Sequence, residues 1–472
     1  LAAVSDHDPR GVSHRQATEH PLVGALLDEA GAASPRLRLD VDPRDEMFRV
    51  AREMAHGNRD QALVGYFRAG LTAARTFGQL LRAWRFPAGE RPLRVLDFAC
   101  GWGRVTRFLT AAFPDLELTV SDISPRAVKF QREVLGLKGF VSATRPEELM
   151  IPDEVLPDGG FDAVLAGSLF THLPEGTFDP WLRRLFELVA PGGVLAVSTH
   201  PEERLPEGFS MPSSGLFYES ASEIPDLDTA DYGRTWVTPG RMERAIAAAT
   251  GEAPMDGVTH RRYRRCLWHL QDLWVIPHRG AGDSPDLEVV GLDGGPDGRL
   301  EGISFEEGSP EKGPDKLWLA GWAAHPLHRD PQVRVEIVVA GETVAQVRPD
   351  RPRPDVVERL GREELHASGW LVHVPLDGSP AMDDPVLVRA VDGRGLAEVL
   401  QLSTFEGLVA WQEAKRLREE LAVCHRELKA ADGHLKVNAV ELRDLKLRLA
   451  AMEASRFWKL RNWWFRIRGK EG

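Results

Sequence analysis

The chain has 472 residues, 43% hydrophobic and 28% charged, with 71 acidic against 59 basic side chains and a net charge of −12. That length predicts about three domains with real cores, and the acidic balance excludes a general nucleic-acid binder, because phosphate recognition needs a basic surface. Cys100, Cys266 and Cys424 are too far apart for a disulfide framework or a zinc site, and neither a leader-like segment nor an apolar run of about 18 residues is found, so a cytoplasmic chain that spans no membrane is expected.

Residues 1–45 are rich in Pro, Asp, Arg and His without sustained periodicity and are expected to be loosely ordered. Helical spacing starts at Glu46, with Phe67, Leu71, Ala74 and Leu81 on one stripe, and Pro87 ends it. Apolar strands then alternate with helices: strands are expected over 93–99, 116–122, 161–167, 193–200 and 272–277. This alternation makes 46–285 an α/β domain with a doubly wound, Rossmann-like, mainly parallel sheet and an N-terminal helical cap. Short β-rich pieces between Gly, Pro and Asp clusters make 286–403 a β-sandwich-like domain.

Residues 408–454 carry a heptad. Ala414, Leu421, Leu428, Leu435, Leu442 and Leu449 form one seam, and Leu417, Cys424, Ala431, Asn438, Leu445 and Met452 the other, which predicts a coiled coil for self-association or a partner. The basic-aromatic tail 455–472 has Arg456, Lys459, Arg466 and Lys470 on one helical face beside Phe457, Leu460, Trp464 and Ile467. An anionic membrane surface is the favoured reading of the stretch 455–470, placing the chain at the inner face of the cell membrane; a helix packed against the coil or a partner is the alternative.

The chemistry is concentrated in VLDFACGWGRVTRFL (95–109), an apolar strand that runs through a small-residue turn into a helix. Gly101 and Gly103 allow backbone to approach a ligand, and Asp97 can accept hydrogen bonds from an ammonium group. A simple Gly turn has the same pattern. A dinucleotide site would want a third glycine, but Thr106 occupies that slot. Asp122 ends the next strand, placed to grip ribose hydroxyls, although Ser124 and Pro125 also mark it as part of a helix start.

Taken together, DFACGWGR, SDIS, FDAVLAGSLFTHLP and LVAPGGVLAVSTH resemble the ordered motifs of class I S-adenosylmethionine-dependent methyltransferases, over about residues 45–278. The resemblance implies S-adenosyl-L-methionine as cofactor. Asp97, Gly101 and Gly103 would hold its methionine end, with Ala99 and Cys100 of the same loop also cofactor-binding, Asp122 its ribose, and Ile123 its adenine. It gives Asp162 a structural role and makes Pro191, Gly192 and Gly193 the turn before the fifth strand. Ala99 departs from the family's first glycine, and the adenine-side residue is not evident, with Ser142 and Glu147 as candidates. In the helix before the fold, Tyr66 and Arg68 are candidate cofactor contacts, or core.

His172 and His200 follow the fourth and fifth strands, where open α/β sheets bind ligands, and either is a candidate base for an acceptor hydroxyl. A packed loop histidine is the alternative. No metal site is expected, and the nearby Asp226, Asp228 and Asp231 read as solvated. Segments 317–326, 353–361 and 368–376 resemble a module of bacterial surface-polysaccharide assembly, in which Trp318, Trp322 and Trp370 would stack on sugars or fill a core. The expected function is O-methylation of a sugar hydroxyl on a surface polysaccharide or lipid-linked glycan. A small metabolite or protein acceptor, and a non-enzymatic scaffold, are the alternatives.

Overall fold

The computed structural model describes residues 11–85, 91–221, 228–251, 260–279, 291–306, 316–326, 332–376, 381–430, 442–448 and 450. The chain divides into two compact units, one of Leu1–Val50 with Gly65–Gly294 and the other of Ala51–Val64 with Gly295–Gly472. The boundary expected after residue 285 therefore falls at Gly294, and 51–64 groups with the C-terminal unit instead of the α/β domain.

In chain order the elements up to Gly294 are α1 (His14–Thr18), α2 (Pro21–Glu29), α3 (Glu46–Met54), α4 (Arg59–Arg85), β1 (Arg94–Phe98), α5 (Thr106–Ala112), β2 (Glu117–Asp122), α6 (Pro125–Glu133), β3 (Lys138–Val141), β4 (Phe161–Ala166), α7 (Glu175–Phe186), β5 (Val189–Pro201), β6 (Leu216–Glu219), β7 (Arg234–Val237), α8 (Pro239–Thr250), β8 (Arg261–Leu267) and β9 (Gln271–Pro277). Local chemistry sets the helix ends. Ser124 caps α6 by accepting from the Ala127 N–H, with Pro125 in the first turn. Thr238 and Pro239 start α8 in the same way, and Gly251 in a left-handed conformation stops it.

Residues 11–45 are folded, which corrects the expectation of a loose N-terminal segment. Ser13 and Gln16 form a capping box on α1. Leu22, Val23, Leu26 and Leu27 of α2 are buried, and Val12 bridges Val41. The polar composition hides a helical four-residue repeat that is enough to bury one face.

The main sheet runs β3-β2-β1-β4-β5 with all strands parallel, and β9 then pairs antiparallel with β5 and with β8. The short β7 continues the edge of β5 beyond His200, and β6 pairs with it. Leu96, Phe98, Val164, Ala166, Leu195 and Val197 pack on one face with Phe178, Trp181 and Leu182 of α7 and Met242 and Ile246 of α8. Parallel order places the C-terminal ends of β1, β2, β4 and β5 along one edge, where a doubly wound sheet binds its ligand.

The second unit holds two antiparallel sheets, formed by β10 (Asp297–Glu306), β11 (Lys316–Ala324), β12 (Arg334–Val339), β13 (Glu342–Val347), β14 (Gly369–Pro375), β15 (Pro385–Val391) and β16 (Ala397–Thr404), with α9 (Pro354–Leu360) between β13 and β14. The sheets β10-β11-β14 and β13-β12-β15-β16 share one apolar cluster that includes Leu319, Val374, Ile337 and Val388. Trp322 and Trp370 are each 1% exposed inside apolar clusters, so neither offers a face to a sugar; Trp318 is half-buried. Helix α10 (Phe405–Ala430) starts by burying Phe405 and Leu408 in the same cluster, and Leu417 is also buried. The first turns of the expected coiled coil thus serve the β unit. Most of the heptad beyond Ala430, and all of the tail 455–472, lie outside the described residues.

Candidate active site

β1 and β2 are too short and too apolar to hide a charge except at their ends, and each finishes on a buried carboxyl or next to one. Asp97 accepts a hydrogen bond from the Thr106 hydroxyl at 2.7 Å. Thr106 stands where a dinucleotide site would have glycine, so the departure from that fingerprint has a use: it orients the acid. Burial pushes the Asp97 carboxyl up to about 6, against the Thr106 bond and with help from the charge of Asp122. Asp122 accepts from the Gly101 N–H at 2.8 Å and the Ser124 N–H at 2.9 Å, and burial still raises it above the ordinary carboxylate range.

The turn between β1 and α5 is left-handed at three places, with φ of 58° at Ala99, 56° at Gly101 and 77° at Gly103. Ala99 therefore sits in a conformation that favours glycine, at a cost of about 1 kcal/mol. A Cβ on Gly101 would find no atom within 4 Å, whereas one on Gly103 would lie 2.6 Å from Leu135 and 2.9 Å from Gln131. Gly101 thus faces open space and Gly103 faces protein. Gln131 donates to the Gly101 carbonyl and to the Cys100 sulfur, both at 2.8 Å. Burial drives the Cys100 thiol well above its usual range, so it is a turn residue and not a nucleophile. Ile123 is half-buried beside Asp122.

The segment before α3 adds groups that the sequence did not single out. Asp45 caps α3 through the Met47 and Phe48 N–H groups, and Glu46 accepts from the Trp102 indole at 2.8 Å. Burial raises both acids, and the charge of Asp122 raises Glu46 further. Tyr66 is fully buried, edge-on to Phe48 and Phe67, and gives its hydroxyl to Asp45 at 2.5 Å. The expected direct contact of Tyr66 with the cofactor is corrected, because the phenol is enclosed in core. Gly70, about one turn after Tyr66 in α4, is needed for close approach, since a Cβ there would lie 2.2 Å from the Arg104 carbonyl. Of the two adenine-side candidates, the Ser142 N–H donates to the Asp122 carbonyl and Glu147 is exposed.

At the ends of β4 and β5 the structure brings His172 and His200 within electrostatic reach of each other. His172 stacks on Tyr232 with centroids 4.4 Å apart, and its Nδ1 lies 2.7 Å from the Gly233 carbonyl. That carbonyl can only accept, so Nδ1 carries a proton, and in the neutral ring Nε2 carries the lone pair. The Gly233 N–H returns a bond to the His172 carbonyl, clamping the loop. His200 lies against Trp236, and burial, reinforced by the His172 charge, lowers it to about 4. Its Nδ1 is buried with no hydrogen-bond partner among the described residues.

Asp162 lies at the opposite edge of the sheet. Arg91 and Arg94 both chelate it, and its carboxyl falls to about 2. The expected structural role agrees with this placement.

The fit to a nucleoside bearing an ammonium and a sulfonium charge rests on the unmatched acids. Among the described residues Asp97 and Asp122 have no ion-pair partner, yet both are buried, and Asp122 accepts from the N–H of Gly101, which faces open space. A cationic ligand end would satisfy the first, and hydroxyls that donate would satisfy the second.

A family model described as a methyltransferase domain matches residues 96–195. The demethylmenaquinone methyltransferase of Thermus thermophilus is 31% identical over 191 residues, covering 37% of this chain and 83% of that protein. The chain belongs to the S-adenosylmethionine-dependent methyltransferases. The methyltransferase domain takes S-adenosylmethionine as its cofactor, the donor its family uses. The trans-aconitate 2-methyltransferase of Methylobacterium radiotolerans is 31% identical over 136 residues, 29% of this chain and 46% of that relative, so the match spans about half its length. Among solved structures, a Burkholderia thailandensis 1,6-didemethyltoxoflavin-N1-methyltransferase is similar at 18% identity and a TM-score of 0.28, over 43% of this chain and 78% of that one. No helix among the described residues is long and apolar enough to cross a membrane.

Proposed function

We propose that the chain transfers a methyl group to a hydroxyl oxygen, with a saccharide as the acceptor. The observation that carries the oxygen assignment is the histidine pair at the ends of β4 and β5. When bound, S-adenosylmethionine supplies an electrophilic methyl group on a sulfonium sulfur. Asp97 would hold the ammonium end, Asp122 the ribose hydroxyls, and the backbone at Gly101 leaves room for both. His172 is the proton acceptor through Nε2, because its other nitrogen is committed to Gly233. His200, lowered to about 4, stays neutral at physiological pH and serves to orient the hydroxyl, since so weak a base holds a proton poorly.

The saccharide part of this reading is supported by the likeness of segments 317–326, 353–361 and 368–376 to a polysaccharide-assembly module. The names of the relatives favour a second reading, a small metabolite acceptor: they act on trans-aconitate and demethylmenaquinone. The heptad beyond α10 would recruit a second copy or a partner, and the tail 455–470 would rest on an anionic membrane.

Methyl-labelled cofactor incubated with a cell-envelope extract separates the acceptors. Label in the saccharide fraction supports the proposal, and label confined to small molecules or protein refutes the saccharide. Calorimetry with S-adenosylhomocysteine comes first: absence of heat would leave the scaffold as the reading.

A further inference from the structure

The hairpin between β8 and β9 turns at Trp268 and His269, whose φ angles are 53° and 55°. The Leu270 N–H donates to the Leu267 carbonyl at 3.0 Å, so these are the two central residues of a tight turn. Both lie in the left-handed region, where such turns take Asn and Gly. Here they are an indole and an imidazole. Neither ring nitrogen of His269 has a hydrogen-bond partner among the described residues, although both are buried. The ring as a whole is half-buried; covering both of its nitrogens without a partner is costly, and a backbone that disfavours its Cβ adds to the cost.

Register places the turn at the ligand edge of the sheet. Thr199 pairs with Asp272 across β5 and β9, so the chain before Gln271 emerges beside the end of β5 where His200 stands. Gln271 accepts from the Ser198 hydroxyl at 2.7 Å and donates to the Ser168 hydroxyl at 2.8 Å, joining the turn to the ends of β4 and β5. Trp268 donates its indole N–H to the Ala69 carbonyl of α4 at 2.7 Å, and the Arg104 guanidinium lies 5.4 Å from its ring. It also reaches to 4.0 Å from a Cβ built on Gly167 at the end of β4. The indole thus anchors the turn between the loop that follows β1 and the end of β4.

We propose that His269 is an acceptor-binding, specificity-determining residue that engages a second hydroxyl of a polyhydroxylated acceptor. A neutral imidazole has one donor and one acceptor nitrogen, and a hydroxyl both accepts and donates, so neighbouring hydroxyls satisfy both nitrogens at once. The inference rests on the transfer reading above and specifies its substrate class.

The test uses the full chain and a His269→Phe variant. Removing an unpartnered imidazole should raise the thermal midpoint by a few degrees. The half-saturating concentration of the envelope saccharide fraction should rise at least tenfold, with S-adenosylhomocysteine affinity unchanged by calorimetry and kcat altered less than KM. His269→Gln, which keeps a donor and an acceptor, should recover part of the loss. A lower midpoint in the phenylalanine variant, or an unchanged half-saturation, overturns the assignment. Absence of label transfer by the wild-type protein overturns the transfer reading and the assignment with it, whereas a lower midpoint overturns the assignment alone.

Discussion

Two edges of one sheet treat their carboxylates in opposite ways. At the start of β4, Asp162 is chelated by Arg91 and Arg94 and falls to about 2. At the far end of β1, Asp97 has among the described residues only the Thr106 hydroxyl as partner; burial raises it to about 6, and Asp122 is raised beside it. Both edges bury acids, but among the described residues one completes the ion pairing within the chain and the other does not, as the proposed cofactor site requires. A buried charge without a counter-charge costs free energy, so the difference supports the proposal that the C-terminal edge is the working one.

Exchanging the two defects breaks the comparison most sharply. Asp122→Ala should weaken S-adenosylhomocysteine binding by about 100-fold, roughly 3 kcal/mol, with the fold retained by circular dichroism. Asp162→Ala should instead cost about 2 kcal/mol in urea melts and leave that affinity unchanged, the cost being tempered by the half-exposure of Arg91. An Asp162 variant that lost cofactor affinity, or an Asp122 variant that kept it within tenfold, would merge the two edges into one role.

The pH dependence separates them next. Because the folded-state value of Asp162 is depressed, its stabilisation is present above the unfolded value and lost as pH falls toward about 2. Asp97 has a raised value, so the free protein is more stable with the acid protonated and loses that contribution as pH rises through about 6. His200 acts in the other direction over nearly the same window: lowered to about 4, it costs stability as pH falls from the ordinary histidine value. Cofactor affinity should therefore rise with pH to a plateau above about 6 and fall roughly tenfold per unit below it, measured by calorimetry across pH 4.5 to 8. A flat profile would mean that Asp97 does not meet the cationic end.

The smallest effect concerns Ala99. Ala99→Gly should relieve the left-handed backbone and add up to about 1 kcal/mol, partly offset by the freer unfolded chain. A drop in the thermal midpoint would show that the methyl group packs usefully.

Much of this site was legible because strand ends and turns are local. The runs at 93–99, 116–122 and 161–167 became β1, β2 and β4, and Asp97, Gly101 and Asp122 were placed by their position in them. β3 was not legible, because its four residues are mostly exposed, and β8 was not, because RRYRRCL reads as charge. The burial of Tyr66, Trp322 and Trp370 was equally hidden: an aromatic looks the same in a sequence whether it faces ligand or core.

The sequence by itself determined the Gly101 turn, the acids at the ends of β1 and β2, and hence the family and its methyl donor, since these depend on neighbours a few residues apart. Only the tertiary structure decided which acids are matched by arginines from other elements. It alone set the Nδ1 of His172 against Gly233, and it alone covered both ring nitrogens of His269 without a partner among the described residues. Each of these depends on distance between segments far apart in the chain, where burial and pairing, and not residue type, fix the chemistry.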